Sequence, residues 1–260
     1  MRILPEPIKR TFRALADRNL RFRAAFTRAR ALFAYDARYS LADRYLAGDG
    51  IEIGALHLPL VVPLRARVKY VDRFTVPELR AQYPELNRCP LVDPDIVDDG
   101  EKLGKIGPES QDFLIANHFL EHCQDPIRAI ESFLHAVRPG GVVYMAVPDK
   151  RFTFDKDREL TPLSHLVRDY REGAACSREE HYRQWRGLVD EKFRNDPGRD
   201  PERLKNDGYS IHFHVWTYLE ILELLAYLKK ELGFAFEIEE FVCQGNEAIF
   251  ILRKGKTVRE

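Results

Sequence analysis

Residues 112–148 carry the sequence DFLIANHFLEHCQDPIRAIESFLHAVRPGGVVYMAVP, in which two apolar runs flank one segment of helical periodicity. The first run, residues 112–116, is almost continuously apolar, as a strand buried on both faces of a parallel sheet requires. Asp125-Pro126 supplies an N-cap and a first-turn proline for a helix that stops at Arg138-Pro139-Gly140-Gly141. Residues 141–147 form the following strand. This order predicts a strand–helix–strand unit with parallel strands.

Upstream of this unit, the sequence predicts three more strands. Residues 50–54 and residues 67–72 are apolar runs that each end in an acidic residue and a turn-like break. A third, weaker strand is expected to end near Asp95. Strands that alternate with helices favour an α/β fold with a doubly wound parallel sheet.

The remaining segments divide the chain into four parts. Residues 1–46 form an N-terminal helical cap, because apolar residues recur there at helical spacing among arginines. Residues 47–149 form the core, and the charged, proline-interrupted residues 150–210 form a largely helical insertion that covers the site. Residues 211–260 complete the core with a helix over 217–232 and a terminal hairpin that turns at Gln244-Gly245-Asn246.

Composition limits the partners of the protein. The chain has 260 residues with 41 basic and 41 acidic side chains, so its formal net charge is zero. This balance argues against a general polyanion binder, and we expect no nucleic-acid partner. Residues 1–44 nevertheless carry eleven Lys or Arg against four acids. A solvated basic face is the default interpretation, and docking on an anionic acceptor, a membrane surface, the core or a second subunit of a homodimer is the alternative.

The cysteines and the apolar stretches bear on the compartment. The four cysteines are far apart in sequence and show no paired spacing, so the sequence predicts neither a zinc ribbon nor a disulfide framework. The longest apolar stretch, residues 56–64, contains two prolines and is too short to span a bilayer, and the N-terminus lacks the apolar core of a signal peptide. We therefore expect a cytoplasmic protein without a transmembrane segment.

The succession of Leu120-Glu121-His122, Asp125-Pro126, the Pro-Gly-Gly of residues 139–141 and Val147-Pro148 resembles class I S-adenosylmethionine-dependent methyltransferases, in particular the group that acts on small molecules and sugars. The resemblance covers residues 48–149 well, and the closing helix and hairpin agree with it. It implies a Rossmann-like, seven-stranded sheet whose last strand is antiparallel. It also implies S-adenosylmethionine as the cofactor.

The resemblance places the cofactor at the carboxyl ends of the strands, where ligands of open parallel sheets bind. It implies that Gly54 lets the backbone approach the methionine part, that Asp72 accepts hydrogen bonds from the ribose hydroxyls, and that Asp95 with Ile96 meets the adenine. The family has further glycines after the first acid, where this chain has Leu56 and Leu58. The candidate cofactor-binding residues are Glu52, Gly54, Ala55, Asp72, Arg73, Asp95, Ile96 and Asn117.

The catalytic candidates follow from the chemistry of methyl transfer. The acceptor oxygen or nitrogen must lose a proton, and histidine suits this task because its ordinary pKa is close to neutral pH. His118, which follows the fourth strand, is the first candidate for the base. Asp149 and His122 complete the catalytic set, although His122 and Glu121 can instead hold the local helix and loop by hydrogen bonds.

The acceptor side is expected to be polar. Polar groups interleaved with tyrosine and tryptophan are suited to sugar hydroxyls and apolar ring faces, so a small-molecule or oligosaccharide acceptor, methylated on a saccharide hydroxyl, is the leading hypothesis. A divalent metal at His212 and His214 with Asp149 or Asp169 is a less favoured alternative, because the sequence shows no compact acidic ligand set. The candidate substrate-binding residues are Arg151, His165, Asp169, Tyr170, His212 and His214.

Two other functions stay open on the sequence. Residues 118–122 match the His-x-x-Glu-His pattern of inverted zinc peptidases, whose two histidines share one helical face. The departure at Leu56 and Leu58 also leaves open a degenerate, noncatalytic protein that binds the cofactor as a partner subunit.

Overall fold

The computed structural model of the protein describes residues 19–31, 36–189, 205–206 and 208–255. Its centre is a seven-stranded sheet with the order β3-β2-β1-β4-β5-β7-β6. The strands are β1 (Gly48–Ile53), β2 (Ala66–Asp72), β3 (Ile96–Val97), β4 (Gln111–Asn117), β5 (Val137–Pro148), β6 (Phe236–Gln244) and β7 (Glu247–Lys254).

The direction of the strands agrees with the expected architecture. Strands β1 to β5 pair in parallel, whereas β7 runs antiparallel to both β5 and β6. The expected Rossmann-like seven-stranded sheet with an antiparallel last strand is therefore confirmed. The bounds of the third strand differ from the prediction. It consists of Ile96–Val97 and therefore ends two residues after Asp95, near which we expected its end.

Strand β5 is longer than the sequence pattern indicates. It starts at Val137, directly after the helix, and includes the Pro-Gly-Gly that we expected to precede it. Val137 pairs with Gln111, and the register then shifts before Phe113 pairs with Val142. The Pro-Gly-Gly thus lies at an irregularity in the pairing of β4 and β5. In the sequence, such an irregularity looks the same as a loop, because both interrupt the periodicity.

Helices cover both faces of the sheet, as a doubly wound fold requires. The helix between β4 and β5 begins after the N-cap Asp125, whose carboxylate accepts a hydrogen bond from the Arg128 backbone N–H at 2.9 Å. The last helix begins with a capping box between Thr217 and Glu220. The helices are α1 (Leu20–Ala31), α2 (Ala37–Tyr45), α3 (Val76–Gln82), α4 (Pro126–Ala136), α5 (Leu163–Glu172), α6 (Arg178–Val189) and α7 (Tyr218–Lys230).

Two apolar clusters bury the two faces of the sheet. The larger one joins residues of β4 and β5 to α4, α5 and α7, with Phe133 and Trp216 among its largest buried side chains. The smaller one packs α2 through Leu41 against Phe113 and Tyr144. Burial of apolar side chains on both faces explains the nearly continuous apolar runs of β4 and β5.

The basic N-terminal segment docks in part on the core. Two arginines of α1 donate hydrogen bonds to backbone carbonyls of the loop after β1: Arg23 to His57 at 3.0 Å and Arg28 to Val62 at 2.8 Å. Residues 1–18 and 32–35 of the expected cap lie outside the described residues. Arg38 and Arg44 of α2 also pair within the chain, with Glu247 and Glu240, so at least four of the basic residues of 1–44 contact other parts of the protein.

The expected insertion over residues 150–210 is helical where the structure describes it. Helices α5 and α6 lie there, together with short 3₁₀ turns at Lys150–Phe152 and Ala174–Cys176. Residues 190–204 and 207 lie outside the described residues. Among the helices of the described residues, none is both long enough and apolar enough to cross a membrane.

Glu52, near the end of β1, closes the loop that follows this strand. Its buried carboxylate accepts the backbone N–H of Leu60 at 2.9 and 3.1 Å. Burial raises the pKa of Glu52 to about 8, although the hydrogen bond from Leu60 opposes this shift. The acid therefore holds the loop against the strand.

Raising the pH from about 5.5 to about 8 is expected to destabilise the protein through Glu52. Its folded-state pKa lies above its ordinary value of 4.5, so the folded state retains a proton that the unfolded chain releases. Stability present at low pH is then lost as the pH rises, by up to ~1.4 kcal/mol for each pH unit. Urea unfolding at both pH values should show a smaller loss for Glu52→Gln, which keeps an acceptor for Leu60. An equal loss in both proteins would contradict this role.

Candidate functional site

A large cavity opens at the carboxyl ends of β1, β2, β3 and β4. It has a volume of about 1220 Å³, above the ~300–1,000 Å³ of a site for one small ligand. It can therefore hold two ligands side by side. Its lining residues are Ile53, Gly54, Leu56, Asp72, Arg73, Tyr83, Glu85, Val97, Asp98, Asp99, Gly100, Glu101, Lys105, His118, Phe119, His122, Gln124, Phe154, Lys156, Trp185, Tyr209, Ser210, Ile211 and His212.

Three of the expected cofactor-binding residues, Gly54, Asp72 and Arg73, line this cavity. Gly54 has a φ of 63°, a conformation that favours glycine. Burial raises the pKa of Asp72 to about 6, while the backbone N–H groups of Arg73 and Phe74 lower it. A ligand that donates hydrogen bonds to Asp72 would stabilise its charged form.

The loop after β3 supplies the next wall. Val97, Asp98 and Asp99 line the cavity, whereas Asp95 and Ile96 do not. Asp95 instead accepts the backbone N–H of Tyr70 at 2.8 Å. The difference arises because β3 ends at Val97, two residues later than expected, so that the residues at the strand's carboxyl end are Asp98 and Asp99.

Gly100 fits tightly beneath this wall. A Cβ at this position would lie 2.6 Å from both Ile53 Cγ2 and Phe119 Cζ, which is closer than packed carbon atoms approach. Gly100 therefore lets the loop after β3 lie against β1 and against the turn after β4. This close approach gives the cavity its floor.

The loop after β1 contains a leucine in the left-handed backbone conformation that glycine usually adopts. Leu56, at one of the positions where the related family has glycine, has a φ of 47° and lines the cavity. Its carbonyl accepts the backbone N–H of Val92 at 2.7 Å. A leucine in this left-handed region carries a strain of about 1–2 kcal/mol, which the surrounding contacts must offset.

Like Asp95 and Ile96, three more of the expected cofactor residues lie outside the cavity lining. Glu52 is buried beneath the loop, and Ala55 is part of the turn that it forms. Asn117, the last residue of β4, has a buried side-chain amide without a hydrogen-bond partner among the described residues. The roles of these residues in binding stay predictions.

His118 is the expected base that the structure places in the cavity. Its φ of 49° turns the chain sharply at the end of β4, while its backbone N–H still donates to Ala146 at 2.8 Å. Its Nε2 lies 2.7 Å from Glu247 Oε2, and its Nδ1 lies 3.5 Å from Glu121 Oε1. The strained turn therefore aims the imidazole between two carboxyl groups.

Glu247, the first residue of β7, is ionised at this position. Burial by itself would raise its pKa, but hydrogen bonds from Arg38 and His118 lower the pKa to about 2. Because an ionised carboxylate only accepts hydrogen bonds, the Nε2–H of His118 donates to Glu247. The Nδ1 of His118 is then the nitrogen that can accept a proton.

Glu121, His122 and His212 form a second polar group at the cavity, with one ligand atom each within 4.8 Å of one another. Burial raises the pKa of Glu121, whose two oxygens have no hydrogen-bond partner among the described residues. Burial lowers the pKa of His122 to about 3, and its Nδ1–H donates to the Ile211 carbonyl at 2.9 Å. This group can hold a cation or a hydrogen-bonding ligand.

His212 is oriented from behind by a buried carboxylate. Its Nδ1 lies 2.6 Å from Asp155 Oδ2, and Arg158 donates to the other oxygen of Asp155 at 2.8 Å. Burial by itself would raise the pKa of Asp155, but the hydrogen bonds from His212 and Arg158 lower it. The expected substrate-binding residue His212 thus faces the cavity in a fixed orientation.

Asp149, Arg151 and Tyr170 are not part of the cavity lining. Asp149 accepts two side-chain hydrogen bonds from Arg151, at 2.9 and 2.6 Å. Burial by itself would raise the pKa of Asp149, but these hydrogen bonds lower it, which makes it a poor base. Tyr170 lies under the guanidinium of Arg128 at 4.8 Å.

His165, Asp169 and His214 lie outside the cavity, where the insertion contacts the core. His165 Nε2 lies 3.1 Å from Asp169 Oδ2, and the ring centroids of His165 and His214 are 5.6 Å apart. His212 and His214 alternate in sequence as expected, but they enter two separate clusters. The expected metal set of His212 and His214 with Asp149 or Asp169 is therefore not assembled.

The His-x-x-Glu-His pattern of residues 118–122 does not form the zinc-peptidase arrangement. Residues Leu120–His122 form a short 3₁₀ turn, and His118 is left-handed. The two histidines therefore do not share a face of an α-helix. Their hydrogen bonds go to different partners, Glu247 and Ile211.

Several residues of the site escaped the sequence reasoning. Asp98 and Asp99 could have been found, because they directly follow the apolar pair of β3. Glu247 and Asp155 could not, since each is one acid among many and is selected only by its contact with a histidine. The aromatic residues Tyr83, Trp185 and Tyr209 line the cavity from three distant parts of the chain.

Comparisons with known proteins add the following similarities. A family model described as "Methyltransferase domain" matches residues 34–200. A solved SAM-dependent methyltransferase from Methanosarcina mazei is 22% identical over 82% of this chain and 95% of its own, with a TM-score of 0.43. The N-methyltransferase NodS from Bradyrhizobium japonicum WM9, in complex with S-adenosyl-L-homocysteine, is 15% identical over 84% and 83%, with a TM-score of 0.43. No curated protein matches the chain significantly.

Proposed function

Because this chain belongs to the methyltransferase domain family and uses S-adenosylmethionine, we propose that it methylates a hydroxyl group of a saccharide or glycan precursor. One observation carries the proposal: a single cavity joins Gly54 and Asp72 to His118 and to an aromatic, polar wall. A methyl donor and an acceptor must occupy adjoining sites for direct transfer. The volume of about 1220 Å³ accommodates both.

The described residues fit the cofactor. S-adenosylmethionine supplies an electrophilic methyl group on its sulfonium sulfur. Asp72 offers a carboxylate whose pKa is raised by burial, and ribose hydroxyls would donate hydrogen bonds that stabilise its charged form. Asp98 and Asp99 at the end of β3 would meet the adenine, and Gly54 leaves the backbone accessible beside His118. Asp95 and Ile96 do not have this position.

His118 is the proposed general base. Its Nδ1 would accept the hydroxyl proton of the acceptor, and the ionised Glu247, at 2.7 Å from Nε2, would stabilise the imidazolium that forms. Arg38 holds Glu247 through two hydrogen bonds from its guanidinium. Glu247 is therefore a positioning residue for His118 rather than a second base.

The opposite wall suits a sugar. Tyr83, Trp185 and Tyr209 offer aromatic faces, and Ser210 and His212 offer hydrogen-bonding groups. Aromatic rings with a polar edge bind surfaces that are apolar on one side and hydroxylated on the other. We assign the described part of residues 150–210 to a cover over this acceptor side.

The proposal also includes the cellular compartment, the acceptor and the oligomeric state. All four cysteines are free, which is compatible with a reducing cytoplasm. The proposed partner is a small-molecule or oligosaccharide acceptor. A homodimer through the basic N-terminal region is a part of the proposal that sedimentation would test.

The first experiment is a methyl-transfer screen with radiolabelled S-adenosylmethionine over monosaccharides, oligosaccharides and amine acceptors. Transfer to a saccharide hydroxyl, located by mass spectrometry, is the expected result. Transfer to amines alone would contradict the proposed acceptor. If neither S-adenosylmethionine nor S-adenosylhomocysteine binds in calorimetry, the protein is a noncatalytic relative.

Asp72→Ala should weaken the binding of S-adenosylhomocysteine by ~10–100-fold, because it removes hydrogen bonds to a charged acceptor. Asp95→Ala is the matched control, since Asp95 contacts Tyr70 and not the cavity. Its dissociation constant should stay within about twofold of the wild-type value. Isothermal titration calorimetry measures both. Equal effects of the two substitutions would refute the assignment of Asp72.

His118→Ala should lower kcat by ~10²–10⁴-fold, the usual contribution of a general base, while cofactor affinity changes little. Glu247→Gln keeps a hydrogen-bond acceptor for His118 but removes the charge, so kcat should fall by about tenfold or more and the pH profile should shift. Glu240→Gln is the control, because Glu240 of β6 pairs with Arg44 of α2 and does not line the cavity. Unchanged kcat in His118→Ala would exclude this base.

A further inference from the structure

Three histidines meet where the insertion contacts the core, outside the cavity described above. His165 belongs to α5, His181 to α6, and His214 to the extended segment before α7. Each offers one nitrogen, and these atoms lie within 4.8 Å of one another. His181 and His214 are buried. Histidines packed ring to ring in a protein interior need either donors and acceptors or a cation to satisfy their nitrogens.

His214 is satisfied on one nitrogen only. Its Nε2–H donates to the backbone carbonyl of Gln124 at 3.2 Å, whereas its Nδ1 is buried without a partner among the described residues. One nitrogen donating to a backbone carbonyl while the other keeps a free lone pair is the arrangement found in metal-binding histidines. The free nitrogen of His214 therefore needs a cation or a donor.

His165 and His181 meet directly. Their Nε2 atoms are 3.1 Å apart, and Arg168 Nη2 donates to His165 Nδ1 at 3.1 Å. The neutral ring of His165 then carries its proton on Nε2, so His181 accepts it there and must carry its own proton on Nδ1. That Nδ1 is also buried without a partner among the described residues. The Nδ1–H of His181 therefore lacks an acceptor and the Nδ1 of His214 lacks a donor among the described residues, and a cation would satisfy the lone pair of His214.

A carboxylate lies beside His165. Asp169 is fully buried, and its Oδ2 lies 3.1 Å from His165 Nε2. The other contact of this oxygen is the Ser177 hydroxyl, at 2.6 Å. Ligands around a tetrahedral zinc ion, at about 2.0–2.1 Å from the metal, are about 3.3 Å from one another. The spacing of 3.1 Å between His165 Nε2 and His181 Nε2 is close to this value.

We propose that His165, His181 and His214 form a zinc site that fastens the insertion to the core. A set of three imidazole ligands favours zinc among the divalent metals. The site joins α5 and α6 to the segment that carries Ser210 and His212, which line the acceptor side of the cavity. Its role is structural, and it does not depend on the identity of the acceptor.

The test measures metal content and zinc affinity in the full chain. The protein is stripped with a chelator, dialysed against zinc and analysed by mass spectrometry of the metal. Wild type should retain about one zinc ion per chain, and His181→Gln and His214→Gln should bind zinc at least ~10-fold more weakly. Cobalt substitution should give the visible absorption of a tetrahedral site in wild type and lose it in both variants.

Two control variants distinguish this site from zinc bound at a surface histidine or at the cavity. His135→Gln changes an exposed histidine at the end of α4, and it should leave zinc binding unchanged. The double variant His122→Gln with His212→Gln alters the second histidine group, at the cavity, and should also retain the zinc.

Loss of the metal in that double variant but not in His181→Gln would overturn the proposal, as would wild-type protein that takes up no zinc. Should the ligand variants fail to fold, the thermal unfolding of wild type provides the readout. Its Tm should rise with added zinc, because a ligand that binds only the folded state stabilises it. A Tm that is independent of zinc would also count against the site.

Discussion

The ion-pair chain from Arg38 through Glu247 to His118 connects three parts of the molecule that are far apart in sequence. Arg38 comes from α2, Glu247 begins the antiparallel strand β7, and His118 directly follows the parallel strand β4. A buried ion pair contributes little net stability, because desolvation of the charges offsets their attraction, and removal of one partner leaves the other uncompensated. The chain of contacts therefore constrains geometry more than it adds stability. It fixes the imidazole ring at the point where two ligands would meet.

The antiparallel direction of β7 explains how Glu247 contacts His118. In a sheet of parallel strands, the carboxyl ends share one edge, and the cavity lies there. A strand that runs in the opposite direction brings its first residue to the same edge, which is how Glu247 reaches His118. The hairpin thus supplies an acid at a place where the parallel strands supply their last residues.

The segment over residues 211–214 serves both histidine clusters. Alternation along an extended chain carries His212 to the cavity and His214 to the group with His165 and His181, while both Phe213 and His214 direct their backbone N–H groups at the Glu121 carbonyl. The two clusters are consequently coupled through a few bonds of backbone. Any displacement of α5 or α6 would move the acceptor wall through this segment.

The sequence by itself determined the order of strands and helices, the parallel core and the hairpin, because periodicity, caps and turn residues act locally. It also singled out Gly54, Asp72, His118 and His212, which line the cavity, since residues at strand ends or beside aromatic residues are marked by their local context. Only the tertiary structure decided that Asp98 rather than Asp95 lines the cavity, that Leu56 takes a left-handed conformation, and that Asp149 turns to Arg151. Glu247, Asp155 and the grouping of the three histidines depend on contacts between residues distant in sequence, and no local pattern encodes which distant side chains will meet.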